Sequence, residues 1–278
     1  NKIFLIILNY LWRALMSDIK TDSLWLMQGD CLERMKEIPD GSVDMILADP
    51  PYGTTDCKWD SIIPLAPMWE QLKRVIKPNG AIVLFSSQPF TTNLISSNLE
   101  MFKYEIIWNK TKAGNFIQAK NCPLKLHENI VVFSRGVVIH EGQSSKRMNY
   151  FPQGVKDVDK EWSRPKVYDS EHGYKRPSHQ TNRKILKEGY PSSVVKFNSE
   201  HNPPHPTQKP VALMEYLIKT YTNEGETVLD FTMGSCSTGI ACLRTNRKFI
   251  GIEKDINYFN ISVERVKGEI NCQYLKIE

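Results

Sequence analysis

The segment TVLDFTMGSCSTG, residues 227–239, begins as a short apolar strand and continues as a loop of small residues. Apolar residues at helical spacing then resume at Ile240, Ala241 and Leu243. A strand, a glycine-containing loop and a helix are the arrangement by which Rossmann-type folds bring backbone amides close to a ligand. The loop contains no G-x-G-x-x-G, which disfavours dinucleotide binding. The segment therefore predicts an α/β, doubly wound sheet with a ligand site at the end of this strand.

A second informative segment is Asp49-Pro50-Pro51-Tyr52, which closes the apolar run VDMILA of residues 43–48. This run is typical of a short buried strand. Two consecutive prolines cannot continue a helix or donate to a sheet ladder, so the chain leaves the strand in a rigid, extended turn. The turn places a carboxylate, a proline carbonyl and an aromatic ring in one pocket, which suits a planar heterocycle with an amino group. The alternative is an ordinary Pro-Pro turn after a strand.

Both segments resemble motifs of the DNA amino-methyltransferases, which methylate the exocyclic nitrogen of adenine or cytosine. D-P-P-Y resembles their signature, and residues 227–239 resemble the D-x-F-x-G-S-G-T loop with which they bind S-adenosylmethionine. Cys236 stands where the family usually has a second glycine, so a positive φ at this position would carry strain. D-P-P-Y precedes the cofactor loop in the chain, as in the circularly permuted beta group of these enzymes. The resemblance covers about residues 23–265.

The resemblance implies a role for each part of D-P-P-Y. Asp49 and the Pro50 carbonyl would accept the two hydrogens of the target amine, and Tyr52 would stack on its ring. The implied cofactor is S-adenosyl-L-methionine, and no metal is expected. The residues assigned to cofactor binding are Asp30, Thr207, Lys209, Asp230, Phe231, Gly234, Ser235 and Glu253.

Two of these carboxylates have structural alternatives. Glu253 ends a predicted strand about 20 positions after Asp230, the interval at which such folds place a ribose-binding acid. It could instead belong to the first turn of the following helix, where acids are favoured. Asp30 follows another predicted strand, where it would accept from the adenine of the cofactor. It could equally cap the predicted helix from Cys31 to Glu37, or do both.

The segment HPTQKP, residues 205–210, resembles the H-P-T-x-K-P segment that lines the methionine end of the cofactor pocket in this family. In that interpretation Lys209 neutralises the cofactor carboxylate and Thr207 forms a hydrogen bond with it. Alternatively the segment is a proline-rich linker, and Pro210 suits the first turn of a helix. The two interpretations are compatible.

The predicted function is site-specific methylation of the N6 amine of adenine in duplex DNA, with the target base flipped out of the helix. The preference for adenine over N4 of cytosine depends on Asp49, since the family tends to use Ser at this position for cytosine. A nucleotide-dependent oxidoreductase is disfavoured because it predicts a G-x-G-x-x-G. An inactive DNA-binding specificity module would be expected to lose Asp49 or Asp230. Methylation of RNA or of a protein amide more often uses Asn in place of Asp49.

Seven predicted strands with helices between them fit the doubly wound methyltransferase sheet. The strands are expected to begin at Leu24, Val43, Ala81, Tyr104, Asn129, Thr227 and Lys248. The strand at Asn129 is expected to run antiparallel at an edge of the sheet. Helices are predicted over residues 64–76, 91–97 and 208–221, and turn residues 77–80 end the first of them.

Four regions are expected: a leader or non-native segment over residues 1–15, a catalytic half over 16–135, a target-recognition insert over 136–200 and a cofactor-binding half over 201–278. The formal net charge is +5, and the insert holds 12 Lys or Arg against 8 Asp or Glu. Aromatic residues are interleaved with these basic residues, as on a surface that meets nucleic acid. The alternative is a solvated insertion without this role.

The six cysteines are scattered without a C-x-x-C, so neither a zinc site nor disulfides are expected. This indicates an intracellular protein, and the resemblance implies the cytoplasm of a bacterial or phage-infected cell. The apolar run from Ile3 to Leu8 is interrupted too early for a membrane span of about 20 residues, and Met16 is the expected natural start.

The implied partner is double-stranded DNA. The sequence leaves open whether the protein forms a homodimer and whether a cognate restriction endonuclease accompanies it.

Overall fold

Nine strands form one mixed sheet in the computed structural model, which describes residues 18–54, 60–138, 144–163, 182–199 and 208–275. In chain order the strands are β1 (Ile19–Lys20), β2 (Leu24–Gln28), β3 (Val43–Ala48), β4 (Ile76–Ser86), β5 (Phe102–Gly114), β6 (Lys125–Phe133), β7 (Lys156–Ser163), β8 (Asn182–Glu188), β9 (Val194–Lys196), β10 (Thr227–Asp230) and β11 (Lys248–Glu253). The α-helices are α1 (Cys31–Arg34), α2 (Leu65–Val75), α3 (Phe90–Ser96), α4 (Val211–Tyr221), α5 (Ser237–Arg244) and α6 (Ile256–Leu275). Strands β7 and β8 form a separate two-stranded sheet.

The large sheet has the order β1-β2-β11-β10-β3-β4-β6-β5-β9. Its central strands β2, β11, β10, β3 and β4 are parallel, whereas β6 is antiparallel to both β4 and β5. Strands β3 and β10 pair directly, with Met45 opposite Val228 and Ile46 opposite Leu229. Because the carboxyl ends of parallel strands meet at one edge, D-P-P-Y and the 230–238 loop are neighbours although they lie near opposite ends of the chain.

Strand β3 is buried on both faces, as expected for a parallel strand covered by helices on each side. Met45 and Leu47 belong to the core that contains residues of α4, α5 and α6, while Ile46 and Ala48 belong to the core that contains residues of α1, α2 and α3. Successive side chains of a strand point to opposite faces, so this alternation builds the two layers. The result is the doubly wound α/β sheet that the sequence predicts.

All seven predicted strands are present, and two short strands, β1 and β9, extend the sheet at its edges. The strand predicted from Asn129 is antiparallel, but its predicted edge position is wrong. It is β6, and it lies between β4 and β5. The error arises because β6 returns from the β5–β6 hairpin between β5 and β4, and such pairing is not visible in the apolar pattern of either strand alone.

The turn predicted at residues 77–80 lies inside β4 as an irregularity. The pairing with β3 passes from Val43–Ile76 to Met45–Ala81, so four residues of β4 are accommodated at one position of the ladder. A Cβ atom on Gly80 would lie 2.6 Å from the Asp44 carbonyl oxygen, so this close approach requires glycine. Residues 77–80 therefore form a bulge inside β4 in place of the predicted turn.

The predicted helix boundaries need small corrections. The helix expected over residues 31–37 consists of α1 followed by a 3₁₀ turn, Met35–Glu37. The helix expected from Gln208 begins at Val211, because Pro210 has an extended backbone with ψ of 130°. The residue before a proline is also disfavoured in helical conformation, which excludes Lys209.

The described residues 152–163 and 182–192 belong to a compact unit that is distinct from the unit formed by the other described residues. Within it, β7 and β8 are antiparallel, with Lys156 opposite Glu188 and Asp157 opposite Lys187. This unit falls inside the predicted insert of residues 136–200, whose role in target recognition stays a prediction.

The predicted leader, residues 1–15, lies outside the described residues. Among the helices that are described, none is long and apolar enough to cross a membrane.

Candidate active site

A cleft of about 700 Å³ lies at the carboxyl edge of the central parallel strands. Its walls contain D-P-P-Y after β3, the loop between β10 and α5, and the ends of β2 and β11. Every predicted site residue that the structure describes lines this cleft: Asp30, Asp49, Pro50, Tyr52, Lys209, Asp230, Phe231, Gly234, Ser235 and Glu253. Thr207 lies outside the described residues. Sheet order therefore brings together residues that are up to 223 positions apart (Asp30 and Glu253).

Two donors hold the carboxylate of Asp49, the first residue of D-P-P-Y. The Tyr52 hydroxyl donates to its Oδ1 and the Lys209 ammonium donates to its Oδ2. Lys209 Nζ also lies 3.3 Å from Glu128 Oε2, and the other oxygen of Glu128 forms an ion pair with Lys110. The Lys209 and Glu128 side chains are only 6% and 11% exposed. Two acids and two bases thus form a cluster that is electrically neutral overall, as a largely buried ionic group requires.

The two carboxylates of this cluster compete for Lys209. Burial alone would raise the pKa of Glu128, but Lys209 and Lys110 together hold that pKa below its usual value. Burial raises the pKa of Asp49, and the negative charge of Glu128 raises it further against the opposing effect of Lys209. The two acids also hold the pKa of Lys209 above its usual value although burial would lower it. Asp49 is therefore the member of the cluster that most readily takes up a proton.

Asp60 fixes the backbone of the D-P-P-Y turn. Its Oδ1 accepts from the N–H groups of Tyr52 and Gly53 at 2.8 and 2.9 Å, and its Oδ2 accepts from the Thr54 N–H at 2.9 Å. The Tyr52 ring stacks on Phe90, with ring centroids 5.4 Å apart and planes 25° apart. Burial raises the pKa of Tyr52 well above its usual value, so Tyr52 stays a neutral donor. The turn is thus held on both its backbone and its aromatic side.

At the end of β11, Glu253 accepts from two backbone N–H groups. Gly234 donates to Oε2 and Asp255 to Oε1, both at 2.8 Å. Asp30 caps α1 by accepting from the Leu32 N–H at 3.0 Å, as its alternative interpretation predicts. Both acids also line the cleft. Since a carboxylate oxygen can accept more than one hydrogen bond, each structural role leaves capacity for a ligand.

Asp230 organises the loop between β10 and α5 from within. Its Oδ1 accepts from the Thr232 N–H at 3.1 Å, and its Oδ2 accepts from the Thr238 hydroxyl at 2.6 Å. Burial raises the pKa of Asp230 to about 7 despite these two bonds. Cys236 has a φ of 67° and is fully buried, so the strain that the sequence suggests at this position is present.

The cleft surface fits a ligand with several polar groups. Thr232 Oγ1 and Ser237 Oγ are buried and, within the part of the chain that the structure describes, have no hydrogen-bond partner. Buried hydroxyl groups are rarely left unpaired. Both residues line the cleft beside the carboxylates of Glu253 and Asp30 and the ring of Phe231. Acceptors, hydroxyl groups and an aromatic surface together suit a nucleoside with a polar tail.

Glu128, Lys110 and Asp60 are among the residues of the site that the sequence prediction does not include. Glu128 lies at the start of an antiparallel strand, and Lys110 lies near the end of the strand beside it. An antiparallel strand begins at the edge where its parallel neighbour ends, so the register could have indicated both residues. Asp60 lies eight positions after Tyr52, in a stretch without a regular pattern. No sequence signal predicts that its carboxylate accepts from three backbone N–H groups of the turn.

The model of the N6/N4 DNA methylase family matches residues 43–264 of this chain. This match spans D-P-P-Y, the Glu128 cluster and the loop between β10 and α5. The doubly wound sheet and the cleft at its carboxyl edge agree with it. The chain therefore belongs to the N6/N4 DNA methylase family.

Individual relatives agree with this membership. The chain is 27% identical over 264 residues to the type II methyltransferase M.HpaI of Haemophilus parainfluenzae, which covers 88% of this chain and 75% of the relative. It is 28% identical over 255 residues to the DNA adenine methyltransferase YhdJ of Escherichia coli strain K12, covering 87% and 82% of the two chains.

Solved structures also share the architecture. The M1.HpyAVI–SAM complex superposes with a TM-score of 0.57 at 25% identity and covers 87% of this chain and 99% of its own. The cytosine-N4-specific PvuII DNA methyltransferase superposes with a TM-score of 0.62 at 15% identity, covering 91% and 93%. The second likeness concerns the fold alone.

Proposed function

We propose that this DNA methyltransferase acts at specific sites in duplex DNA and methylates the N6 amine of adenine. Its cofactor is S-adenosyl-L-methionine, as the family implies. The observation that carries the proposal is the position of Asp49 in the cleft: D-P-P-Y holds a carboxylate with a raised pKa beside the loop that Glu253 and Asp230 organise. The choice of adenine rests on an acid, rather than Ser, at the first position of D-P-P-Y.

The chain's own residues prepare the target amine for reaction. The lone pair of the amine is delocalised into the ring, which makes the nitrogen a poor nucleophile. Asp49 and the Pro50 carbonyl accept its two hydrogens, which favours a pyramidal nitrogen and stabilises the positive charge that develops on it. Tyr52 supplies the flat surface on which the ring stacks. When bound, S-adenosylmethionine supplies a methyl group on a positively charged sulfur.

After methyl transfer the nitrogen carries one proton too many, and Asp49 is the acceptor within reach. Its raised pKa makes it a better proton acceptor than an ordinary exposed aspartate. The Tyr52 hydroxyl and the Lys209 ammonium hold the carboxylate in place during this exchange. Glu128 keeps Lys209 in position as its second carboxylate partner, and Lys110 pairs with the other oxygen of Glu128.

The cofactor would be held by the opposite wall of the cleft. Glu253 and Asp30 would accept from the ribose hydroxyl groups and the adenine amine, and Phe231 would contact the adenine ring. Gly234 and Ser235 are small, so the backbone of the loop can come close to the cofactor. The methionine carboxylate is assigned to Thr207 and Lys209, and the pairing of Lys209 with Asp49 makes that lysine a link between the two halves of the site.

An assay with labelled S-adenosylmethionine and unmethylated genomic DNA tests the proposal. The product is digested to nucleosides, and we expect the label in N6-methyladenine, with none when the DNA is replaced by RNA. Label in N4-methylcytosine would overturn the assignment of the base, and label only in RNA would overturn the assignment of the substrate.

Such an enzyme meets its substrate in the cytoplasm of a bacterial or phage-infected cell, alone or as a homodimer.

A further inference from the structure

Among the described residues, the two most exposed large apolar side chains lie in the hairpin that joins β5 and β6. We define its tip as residues 112–125. Every residue from 114 to 127 is exposed, and the exposed fractions of Phe116 and Ile117 are 68% and 93%. A 3₁₀ turn, Phe116–Gln118, places these two residues at the start of the connection. Neither side chain contributes to the core of the protein, so folding does not explain them.

The hairpin tip projects from the edge of the sheet that carries the catalytic tetrapeptide. Ser86 at the end of β4 pairs with Asn129, so the start of β6 lies at the edge where β3 ends and Asp49 follows. Glu128 lies one residue before Asn129 and contacts Lys209, which in turn pairs with Asp49. Residues 112–125 continue outward from this point. The tip is therefore on the side from which a large substrate would approach Asp49.

The charge of the hairpin favours a polyanion. Residues 109–127 contain four lysines, Lys110, Lys112, Lys120 and Lys125, and neither Asp nor Glu. Lys110 pairs with Glu128 in the cleft, whereas Lys112 and Lys120 are exposed. Lysines around two apolar residues match a nucleic-acid backbone on either side of an exposed base stack. A second protein surface would have to supply acids opposite these lysines.

We propose that the hairpin tip is a wedge that enters the DNA where the target base leaves the helix. Phe116 and Ile117 occupy the gap in the base stack, and Lys112 and Lys120 contact the flanking phosphates. Proteins that kink or open DNA use apolar side chains in this way and offset part of the cost of unstacking. The inference rests on the proposed flipping of a paired base, but it is independent of whether that base is adenine or cytosine.

The test uses the full chain with Phe116 and Ile117 both replaced by Ala. Sequencing of DNA methylated by the wild type first identifies the recognition site. Two synthetic duplexes are then compared, one with the target base paired and one with it mismatched, since a mismatched base is easier to extrude. We expect the variant to lose at least about tenfold in kcat/KM on the paired duplex and to recover to within about twofold of the wild type on the mismatched duplex.

Leu99→Ala is the matched control. Leu99 is 65% exposed in the turn before β5, at the opposite end of that strand from the hairpin tip. Both duplexes should be methylated normally by this variant. Equal losses of the Phe116/Ile117 variant on the two duplexes, or no loss on either, would overturn the wedge. Failure of the wild type to methylate paired duplex DNA would instead overturn the proposed function.

The lysines are tested separately by fluorescence anisotropy with duplex DNA at several salt concentrations. We expect Lys112→Ala with Lys120→Ala to weaken binding to all sequences and to reduce the salt slope by about 0.9 for each lost phosphate contact. Lys248→Ala, an exposed lysine at the start of β11, should leave both unchanged. An unchanged slope, or a change of oligomeric state in the Phe116/Ile117 variant, would show that the hairpin tip meets something other than DNA.

Discussion

Lys209 donates to Asp49 across 160 positions of sequence, and this pair joins the segment before α4 to D-P-P-Y. The lysine is almost fully buried, and Glu128 is its second carboxylate partner. An ammonium group in this position is expected to orient Asp49 and to balance its charge. The proposed role of Lys209 in cofactor binding therefore extends to the positioning of Asp49.

Asp49→Ala is expected to abolish methyl transfer and to leave cofactor binding largely intact. In the proposed mechanism Asp49 contacts the target base, and Lys209 keeps Glu128 as a partner when Asp49 is removed. Calorimetry with S-adenosylmethionine measures binding, and label incorporated into DNA measures transfer. An active variant would remove Asp49 from the mechanism.

Glu128→Gln is expected to move the acidic limb of the pH profile of kcat/KM to lower pH. The charge of Glu128 raises the pKa of Asp49, so its removal lowers that pKa and keeps Asp49 ionised in more acidic solution. Glu105→Gln is a matched control, because Glu105 lies on β5 and pairs with Asn129 outside the cleft. A limb that stays in place would show that Asp49 does not govern the profile.

Glu253→Ala and Asp30→Ala are each expected to weaken cofactor binding. Loss of a hydrogen bond to a buried partner costs roughly 1–3 kcal/mol, which corresponds to about a tenfold or larger rise in Kd. Asp30 also caps α1, and Asp30→Ser keeps a capping oxygen on a shorter side chain. Asp30→Ser should therefore restore stability in urea but not affinity. Unchanged Kd values would leave both acids with structural roles only.

Asp230 makes stability depend on pH with a definite sign. Its pKa is raised to about 7 in the folded protein from 3.8, so the folded state holds a proton that the unfolded state has released between these values. The contribution of Asp230 to the free energy of unfolding therefore falls as the pH rises from about 4 to 7. Asp230→Asn should flatten this part of the profile, measured by urea titration at each pH. An equally steep decline in the variant would assign the dependence to another group.

Cys236→Gly and Cys236→Ala separate backbone strain from packing. Both remove the buried sulfur, but only glycine relieves the left-handed backbone at a φ of 67°. We expect Cys236→Gly to be more stable than Cys236→Ala by about 1 kcal/mol in urea unfolding. Equal stability would mean that the loop adopts this conformation without cost.

Much of the fold follows from local pattern. The apolar run of residues 43–48 and the two prolines after it are enough to place a buried strand and a rigid turn, since both depend on backbone constraints within a few residues. The helix periodicity of α2 is equally local, and its observed range differs from the predicted one by a single residue at each end. The prediction is wrong where pairing is the question: β6 was expected at an edge and lies inside the sheet.

The sequence by itself determined the class of fold, the family motifs and the residues of D-P-P-Y, because each is a property of neighbouring residues. Only the tertiary structure decided that Lys209 lies between Asp49 and Glu128 and that Asp60 holds the turn. These contacts depend on strand order and on the register of the β5–β6 hairpin. Side chains from distant segments meet only after the sheet has placed their strands side by side, and no local pattern encodes that order.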